Sequence, residues 1–327
     1  MSNLFQSRFQ GLVSDVVNKI AEYLVMEHPE TLYGPMKYAM SSGGKRLRPL
    51  LVLTACEAVG GKTSDALNAA AALELVHNFT LVHDDIMDDD DIRRGRETVH
   101  KKWDENVAIL SGDALLVVAY QALAESGTDR LGKVLNVFSQ GILKVCEGQT
   151  LDKEFESRDQ VSLEEYFEMI DKKTAELFAV SCAIGGMMGN GSEEQVRSLD
   201  RFGRKLGRAF QIQDDLLDVL SDQDVLGKDI GSDLEENKKT FLVTHALQHA
   251  GENDKQALIT ILQKGEINAR DVENVITIFK SSGTLDAAKQ EIDACIRDAG
   301  TALESLPDSE ARAMLYSLLE MIEKRNS

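Results

Sequence analysis

Proline is scarce, with four among 327 residues (Pro29, Pro35, Pro49 and Pro307), so positions 50–306 contain none. Proline removes a backbone donor and clashes inside a helix, so so long a stretch without it is what long helices permit. Positive charge is also short: 36 Lys and Arg face 55 Asp and Glu, a net charge of −19. That excludes a nucleic-acid binder, since a phosphate backbone demands clustered cations. The four cysteines, Cys56, Cys146, Cys182 and Cys295, are far apart and show no CxxC spacing. A disulfide framework and a thiolate zinc site are thereby excluded, and reduced thiols in a cytoplasm are expected. Uninterrupted apolar runs of the ~18 residues that mark a membrane span are missing. So is a signal-peptide core in the opening MSNLFQSRFQ. A cytoplasmic protein without an integral membrane segment is the expectation.

Apolar residues instead recur at three- and four-residue spacing, as in Phe9, Leu12, Val13, Val16, Val17, Ile20, Leu24 and Val25. This pattern predicts helices over 7–28, 50–59 and about 65–89, the last capped by Thr63 or Ser64. Later breaks fall near 126–127, 158–162, 189–192, 221–233, 251–254 and 281–284. They are short and evenly spread, with no linker, low-complexity tract or fixed-period repeat. The expected architecture is all-α: one domain spanning residues 1–327, a bundle of about ten or more helices. The polar stretch 221–239 has the strongest loop character. Residues after about 245 read as packing helices.

The chemistry concentrates in two acidic segments. In HDDIMDDDDIRRG (83–95), Asp84 and Asp88 lie four apart, hence on one helix face with Asp85 beside them, and His77 is two turns earlier. In FQIQDDLLD (210–218), Asp214, Asp215 and Asp218 repeat the DDxxD arrangement in a mainly apolar helix, with Gln211 one turn earlier. Carboxylates are costly in such surroundings unless they line a polar cavity. Oxygen-only ligands suit a hard cation such as Mg²⁺, which keeps waters and bridges to phosphates. Two such helices 130 residues apart suggest facing walls that share metal ions. Basic residues sit beside glycine in GGKRLR (43–48), follow the first acidic run at Arg93 and Arg94, and recur at Lys172, Lys173, Lys228, Lys238 and Lys239. In an acidic chain this placement points to anion capture. The GGKRLR spacing is not that of a P-loop.

Taken together these segments resemble the trans-prenyltransferases, the isoprenyl diphosphate synthase family. The resemblance rests on GGKRLRP (43–49), LELVHNFTLVHDDIMDDDDIRRG (73–95), GD (112–113), EGQ (147–149), KT (173–174), FQIQDDLLD (210–218), GKDIGSDL (227–234) and NKKT (237–240), in the family's order. It implies that Asp84, Asp85, Asp88, Asp214, Asp215 and Asp218 hold about three Mg²⁺ on an allylic diphosphate. Arg93, Lys173, Lys228 and Lys238 would contact that diphosphate, while Thr174 and Gln211 would face the developing cation. Lys45, Arg48, His77 and Arg94 would take isopentenyl diphosphate. Asn237 departs from the glycine many members carry there.

The implied reaction joins isopentenyl diphosphate to the allylic diphosphate and releases diphosphate. Phe79 with the small Thr80 would set product length, and geranylgeranyl diphosphate is the expected product. Farnesyl or longer-chain synthesis, a class I terpene cyclase and a non-catalytic synthase subunit are the alternatives. GGKRLR and the second DDxxD favour condensation over cyclisation. His83 is expected to pack or hydrogen-bond rather than act as a base. A homodimer is implied by the resemblance alone.

Overall fold

Helical spacing becomes helix nearly everywhere. A computed structural model describes residues 3–220, 232–264 and 267–323, and among these the only sheet is one two-stranded hairpin. Backbone packing resolves the chain into two compact units, Met1–Ile142 with Leu177–Asp200 and Leu303–Ser317, and Leu143–Glu176 with Arg201–Ala302 and Leu318–Ser327.

The first unit is organised on α4 (Thr63–Met87), which packs against α1 (Asn3–Tyr23), α2 (Glu30–Met40), α3 (Leu47–Ala58), α5 (Val99–Lys102) and α6 (Glu105–Ala124). Ala69 to Leu73 are wholly buried, as are Leu75 and Val76, so apolar residues cover every side of this helix. A helix that is apolar all round belongs inside a core, and the alanines let neighbours come close. Residues 177–188 of α9 (Glu176–Met188) add to the same unit. Their approach to α3 depends on Gly185: a Cβ there would lie 2.2 Å from the Val52 carbonyl oxygen.

In the second unit, α8 (Leu163–Ile170) starts at a capping box in which Ser162 Oγ accepts from Glu165 N–H and Glu165 accepts from Ser162 N–H. It runs into a π-helical turn, Asp171–Ala175. The remaining helices are α11 (Ser232–Glu235), α12 (Phe241–His249), α13 (Glu252–Leu262), α14 (Ala269–Ser281) and α15 (Thr284–Leu303). An aromatic cluster of Tyr166, Phe167 and Phe241, with centroids 5.6–6.1 Å apart, ties α8 to α12. α7 (Leu131–Glu156), α10 (Glu193–Leu220) and α16 (Glu310–Glu323) contribute residues to both units.

Several expectations need correction. The first helix stops at Tyr23 because Val25 and Met26 point into solvent. Lys62, not Thr63 or Ser64, occupies the cap of α4, where its N–H donates to the Asp65 carboxylate at 3.2 Å. The hairpin after the first acidic run was not foreseen. Of the stretch read as a loop, positions 221–231 lie outside the described residues, and Ser232–Glu235 is a helical turn. Beyond residue 245 the apolar positions do pack inward, with Leu258, Val275, Phe279 and Leu315 all fully buried.

Gly185→Ala should lower stability by about 1–3 kcal/mol, the usual cost of overpacking. Thermal denaturation checks it, and an unchanged midpoint would show that α3 and α9 can separate freely.

Candidate active site

The first acidic motif occupies the end of α4. Asp84 and Asp85 sit in its last turn, and Asp88 caps it by donating its N–H to the Asp84 carbonyl at 2.9 Å. The four-residue relation therefore holds. Asp85 is turned inward and 4% exposed, whereas Asp84 and Asp88 are half-buried. Burial pushes the Asp85 carboxyl up to about 6, opposed by Arg93 beside it.

Arg93 reaches back from a hairpin of β1 (Ile92–Arg93) and β2 (Arg96–Glu97), in which Arg93 pairs with Arg96. Its two turn residues, Arg94 (φ 55°) and Gly95 (φ 72°), are both left-handed, as a tight type I′ turn requires. Arg93 Nε donates to Asp85 Oδ1, Nη2 donates to Asp90 Oδ2 at 3.2 Å, and the same Nη2 stands 3.7 Å from Asp84. Asp85 and Arg93, with Tyr38, Asn78 and Thr98, line a cavity of about 30 Å³, room for one or two waters.

A second cluster lies along the same helix. Arg48 Nη1 donates to His77 Nε2 at 3.2 Å, and its guanidinium covers the Phe178 ring at 4.8 Å. Arg94 Nη1 donates to the Gly43 carbonyl at 2.5 Å, and Lys45 is exposed. Desolvation, then the charges of Arg48 and Arg94, hold the His77 imidazole well below its ordinary value. Burial brings Arg48 down to about 10. Of the residues expected to take isopentenyl diphosphate, Arg48 and His77 thus touch. Phe79 is buried with its ring edge-on to His83 at 4.8 Å, and Thr80 Oγ1 donates to the His77 carbonyl at 2.8 Å. His83 approaches the Ile109 carbonyl at 3.2 Å and rests on Gly112, where a Cβ would lie 2.3 Å from Nε2. That close approach is what the GD pair provides, and it leaves His83 packed between Gly112 and the Phe79 ring.

The second unit holds the other motif. On α10, Asp214 is exposed, Asp218 half-buried and Asp215 2% exposed. Asp215 Oδ2 accepts from Tyr166 Oη at 2.7 Å and Phe241 N–H at 2.9 Å, while Oδ1 accepts from Gln211 Nε2 at 2.9 Å. Burial, aided by Asp233, still pushes Asp215 up to about 7. Gln211 Oε1 accepts from Thr174 Oγ1 at 2.7 Å, so Thr174, Gln211 and Asp215 form one chain. Lys173 Nζ donates to buried Asp152 at 2.5 Å. The π-helical turn that carries it presses on Gly148, where a Cβ would lie 2.2 Å from Lys173 N. EGQ and KT therefore meet. Lys238 pairs with Glu236 at 2.5 Å, and Lys228 lies outside the described residues.

Asn237 takes a left-handed φ of 53°, which asparagine tolerates better than most residues. Its amide donates to the Glu156 carbonyl at 2.9 Å and its Oδ1 accepts from Lys239 at 2.8 Å. The departure from glycine thus keeps the turn.

Sequence reasoning missed Tyr166, Asp152 and the Phe241 amide as supports, since nothing local marks them; Gly148 was visible only as part of EGQ, without its packing reason. Among the described residues, no three His, Cys, Asp or Glu side chains converge closely enough to hold a metal alone. The donor set nevertheless fits Mg²⁺: hard carboxylate oxygens at half-buried or exposed positions suit an ion that draws further ligands from water and phosphate.

The polyprenyl synthetase family profile matches residues 29–279. A short-chain isoprenyl diphosphate synthase from Methanothermobacter thermautotrophicus is 45% identical over 325 residues, covering 99% of this chain and 96% of the relative. A geranylgeranyl diphosphate synthase from Methanosarcina mazei is 40% identical, covering 96% and 98%. The crystal structure of geranylgeranyl pyrophosphate synthetase from Pyrococcus horikoshii superposes with a TM-score of 0.93 at 41% identity, covering 97% of both chains.

The depressed His77 value predicts a pH effect. Below about 6.5 the unfolded chain takes up a proton that the folded one refuses. Stability is therefore intact above that pH and falls below it, by up to ~1.4 kcal/mol per pH unit. His77→Gln keeps an acceptor for Arg48 and should flatten the denaturation profile between pH 6.5 and 5. Parallel wild-type and variant profiles would mean that His77 charges in the folded state.

Proposed function

The chain belongs to the polyprenyl synthetase family and is a prenyltransferase, and from this we propose that it condenses isopentenyl diphosphate with an allylic diphosphate to give geranylgeranyl diphosphate. The observation that carries condensation over cyclisation is the Arg48–His77–Arg94 cluster, a cationic site beyond the two carboxylate motifs. A cyclase has no second diphosphate to bind there. The names of the M. mazei and P. horikoshii relatives support the C20 product.

In this reading Asp84, Asp85, Asp88, Asp214, Asp215 and Asp218 would hold about three Mg²⁺. Asp85 and Asp215 are also braced by internal donors. When bound, the ions neutralise charge on the allylic diphosphate and make it a better leaving group. Arg93, Lys173, Lys228 and Lys238 grip the same group. The C–O bond breaks with its electron pair leaving on diphosphate. Thr174 spends its proton on Gln211, so the hydroxyl lone pairs remain for the allylic cation. Isopentenyl diphosphate, held by Lys45, Arg48, His77 and Arg94, attacks C1 through its double bond. A proton then passes from the new adduct to the departing diphosphate. Phe79, braced by His83, closes the apolar space available to the growing chain.

Purified protein incubated with Mg²⁺, isopentenyl diphosphate and each allylic diphosphate should elongate to C20. Asp84→Ala and Asp214→Ala should each lower turnover by about 10²-fold or more, as loss of transition-state charge stabilisation does. Phe79→Ala should lengthen the products. Absence of elongation, or near-normal turnover in either aspartate variant, would refute the reading.

We further read the protein as a cytoplasmic homodimer. Its four cysteines are all free, which fits a reducing compartment. α6 is long and apolar enough to cross a membrane by composition, but its inner face, including Ala108, Leu115, Ala119 and Leu123, is fully buried. Ile109, Leu110 and Val117 face outward with Asp113 among them. A carboxylate in that stripe disfavours lipid and suits a second copy with a polar rim. Leu110→Glu should convert the dimer to monomer in light scattering. A wild-type monomer, or a variant that stays dimeric, would exclude this face.

A further inference from the structure

Glu74 is an acidic residue in the most apolar stretch of α4, 1% exposed. A carboxylate so placed is costly unless paired. Its partner is Arg46, whose Nη1 donates to Glu74 Oε1 at 2.7 Å and whose Nη2 donates to the Met40 carbonyl at 2.6 Å. Asn78, one turn on, donates to the same Oε1 at 2.9 Å and to the Glu74 carbonyl at 2.8 Å. One buried guanidinium thereby joins the end of α2, the start of α3 and the middle of α4.

The backbone it holds is unusual. Gly43 and Gly44 have φ of 77° and 114°, and Arg46 itself is left-handed at φ 48°, ψ 40°, at the position that caps α3. For a long side chain this conformation is unfavourable and persists only where surrounding contacts impose it. The ion pair with Glu74 and the bond to Met40 impose it here. Arg46 also accepts the Leu50 N–H at 3.2 Å, so the first turn of α3 is aligned by the same residue. Arg48 leaves from that turn and meets His77, which is one turn beyond Glu74 on α4. Arg94 closes the loop from the other side through the Gly43 carbonyl. Glu74 is thus the buried countercharge beneath three arginines, with Arg46 directly on it and the charges of Arg48 and Arg94 within its reach.

We propose that Glu74 and Arg46 are positioning residues for isopentenyl diphosphate: their buried ion pair sets the 43–48 turn so that Lys45 and Arg48 are presented to the diphosphate beside His77 and Arg94. This rests on the reading of that cluster as the isopentenyl diphosphate site. Neither residue touches substrate. Arg46 counters the Glu74 charge, and both Arg46 and Asn78 donate to its Oε1.

The test is steady-state kinetics of Glu74→Gln, Arg46→Met and the double variant, varying each substrate with the other saturating. Unfolded protein lowers Vmax but leaves KM to the folded fraction, so KM is readable even from a partly folded preparation. Each single variant should raise KM for isopentenyl diphosphate about tenfold or more, with KM for the allylic diphosphate within twofold and kcat within threefold. The double variant should cost no more than Arg46→Met alone, because residues acting as one unit are not additive. An unchanged isopentenyl KM, equal rises in both KM values, or a fall in kcat alone would overturn the proposal. Wild-type elongation is the control that separates the two claims, since its absence would sink the enzymatic reading before any variant is compared.

Discussion

Each aspartate-rich helix depends on a carboxylate that it buries. Asp85 and Asp215 occupy the same place in their motifs, and both point inward. Desolvating such a group is expensive unless every lone pair facing the protein finds a donor. Asp85 takes Arg93, while Asp215 takes Tyr166, Gln211 and a main-chain N–H from the start of α12. These donors are then fixed in turn. Arg93 is drawn to the end of α4, although it lies on a separate hairpin. Gln211 is oriented so that its carbonyl receives Thr174. The second aspartate of each motif thereby orders the donors packed around it.

Close backbone approach is the second constraint. His83 can lie against α6 only because residue 112 has no side chain, and Lys173 can lie against α7 only because residue 148 has none. Both glycines belong to short motifs, GD and EGQ, whose acidic and amide members attract attention first. The contact geometry gives the glycine as the reason each pair is placed where it is. It also connects Phe79 to the motif indirectly, since the ring leans on a histidine whose own position is set by Gly112.

What the sequence made legible follows range. Helix periodicity, the two DDxxD motifs and the clustering of cations after glycine are local patterns, and all survive in the structure. Arg93 and Arg94 were assigned to different diphosphates only through the family resemblance; their contacts, Asp85 for one and the Gly43 carbonyl for the other, depend on two successive left-handed residues in a hairpin turn that no local pattern marks. Tyr166 and Asp152 were invisible because they reach Asp215 and Lys173 across 49 and 21 positions of sequence. Glu74 is the instructive case. A charged residue inside LELV, preceded by alanines, is a local signal of an obligate buried partner. The identity of that partner, Arg46, is decided only when α3 packs on α4.

The charge balance shows why an acidic chain can hold diphosphates at all. Screening limits exposed charges to a range of about 8–10 Å in physiological salt. A net charge of −19 spread over the whole surface therefore weighs little at any one pocket. What matters there is the local sum, and the two motifs solve it differently. At the first carboxylate motif Arg93 supplies part of the opposite charge, and in the proposed reading divalent ions supply the rest, which suits a ligand that leaves with its charge increased. Around His77 the protein supplies positive charge itself, through Arg48 and Arg94, and in the proposed reading that suits a diphosphate that stays intact through the reaction. Burial lowers Arg48 and Arg94 and keeps His77 from charging, and repulsion among the clustered cations adds to it. Glu74, buried beneath them, offsets that repulsion.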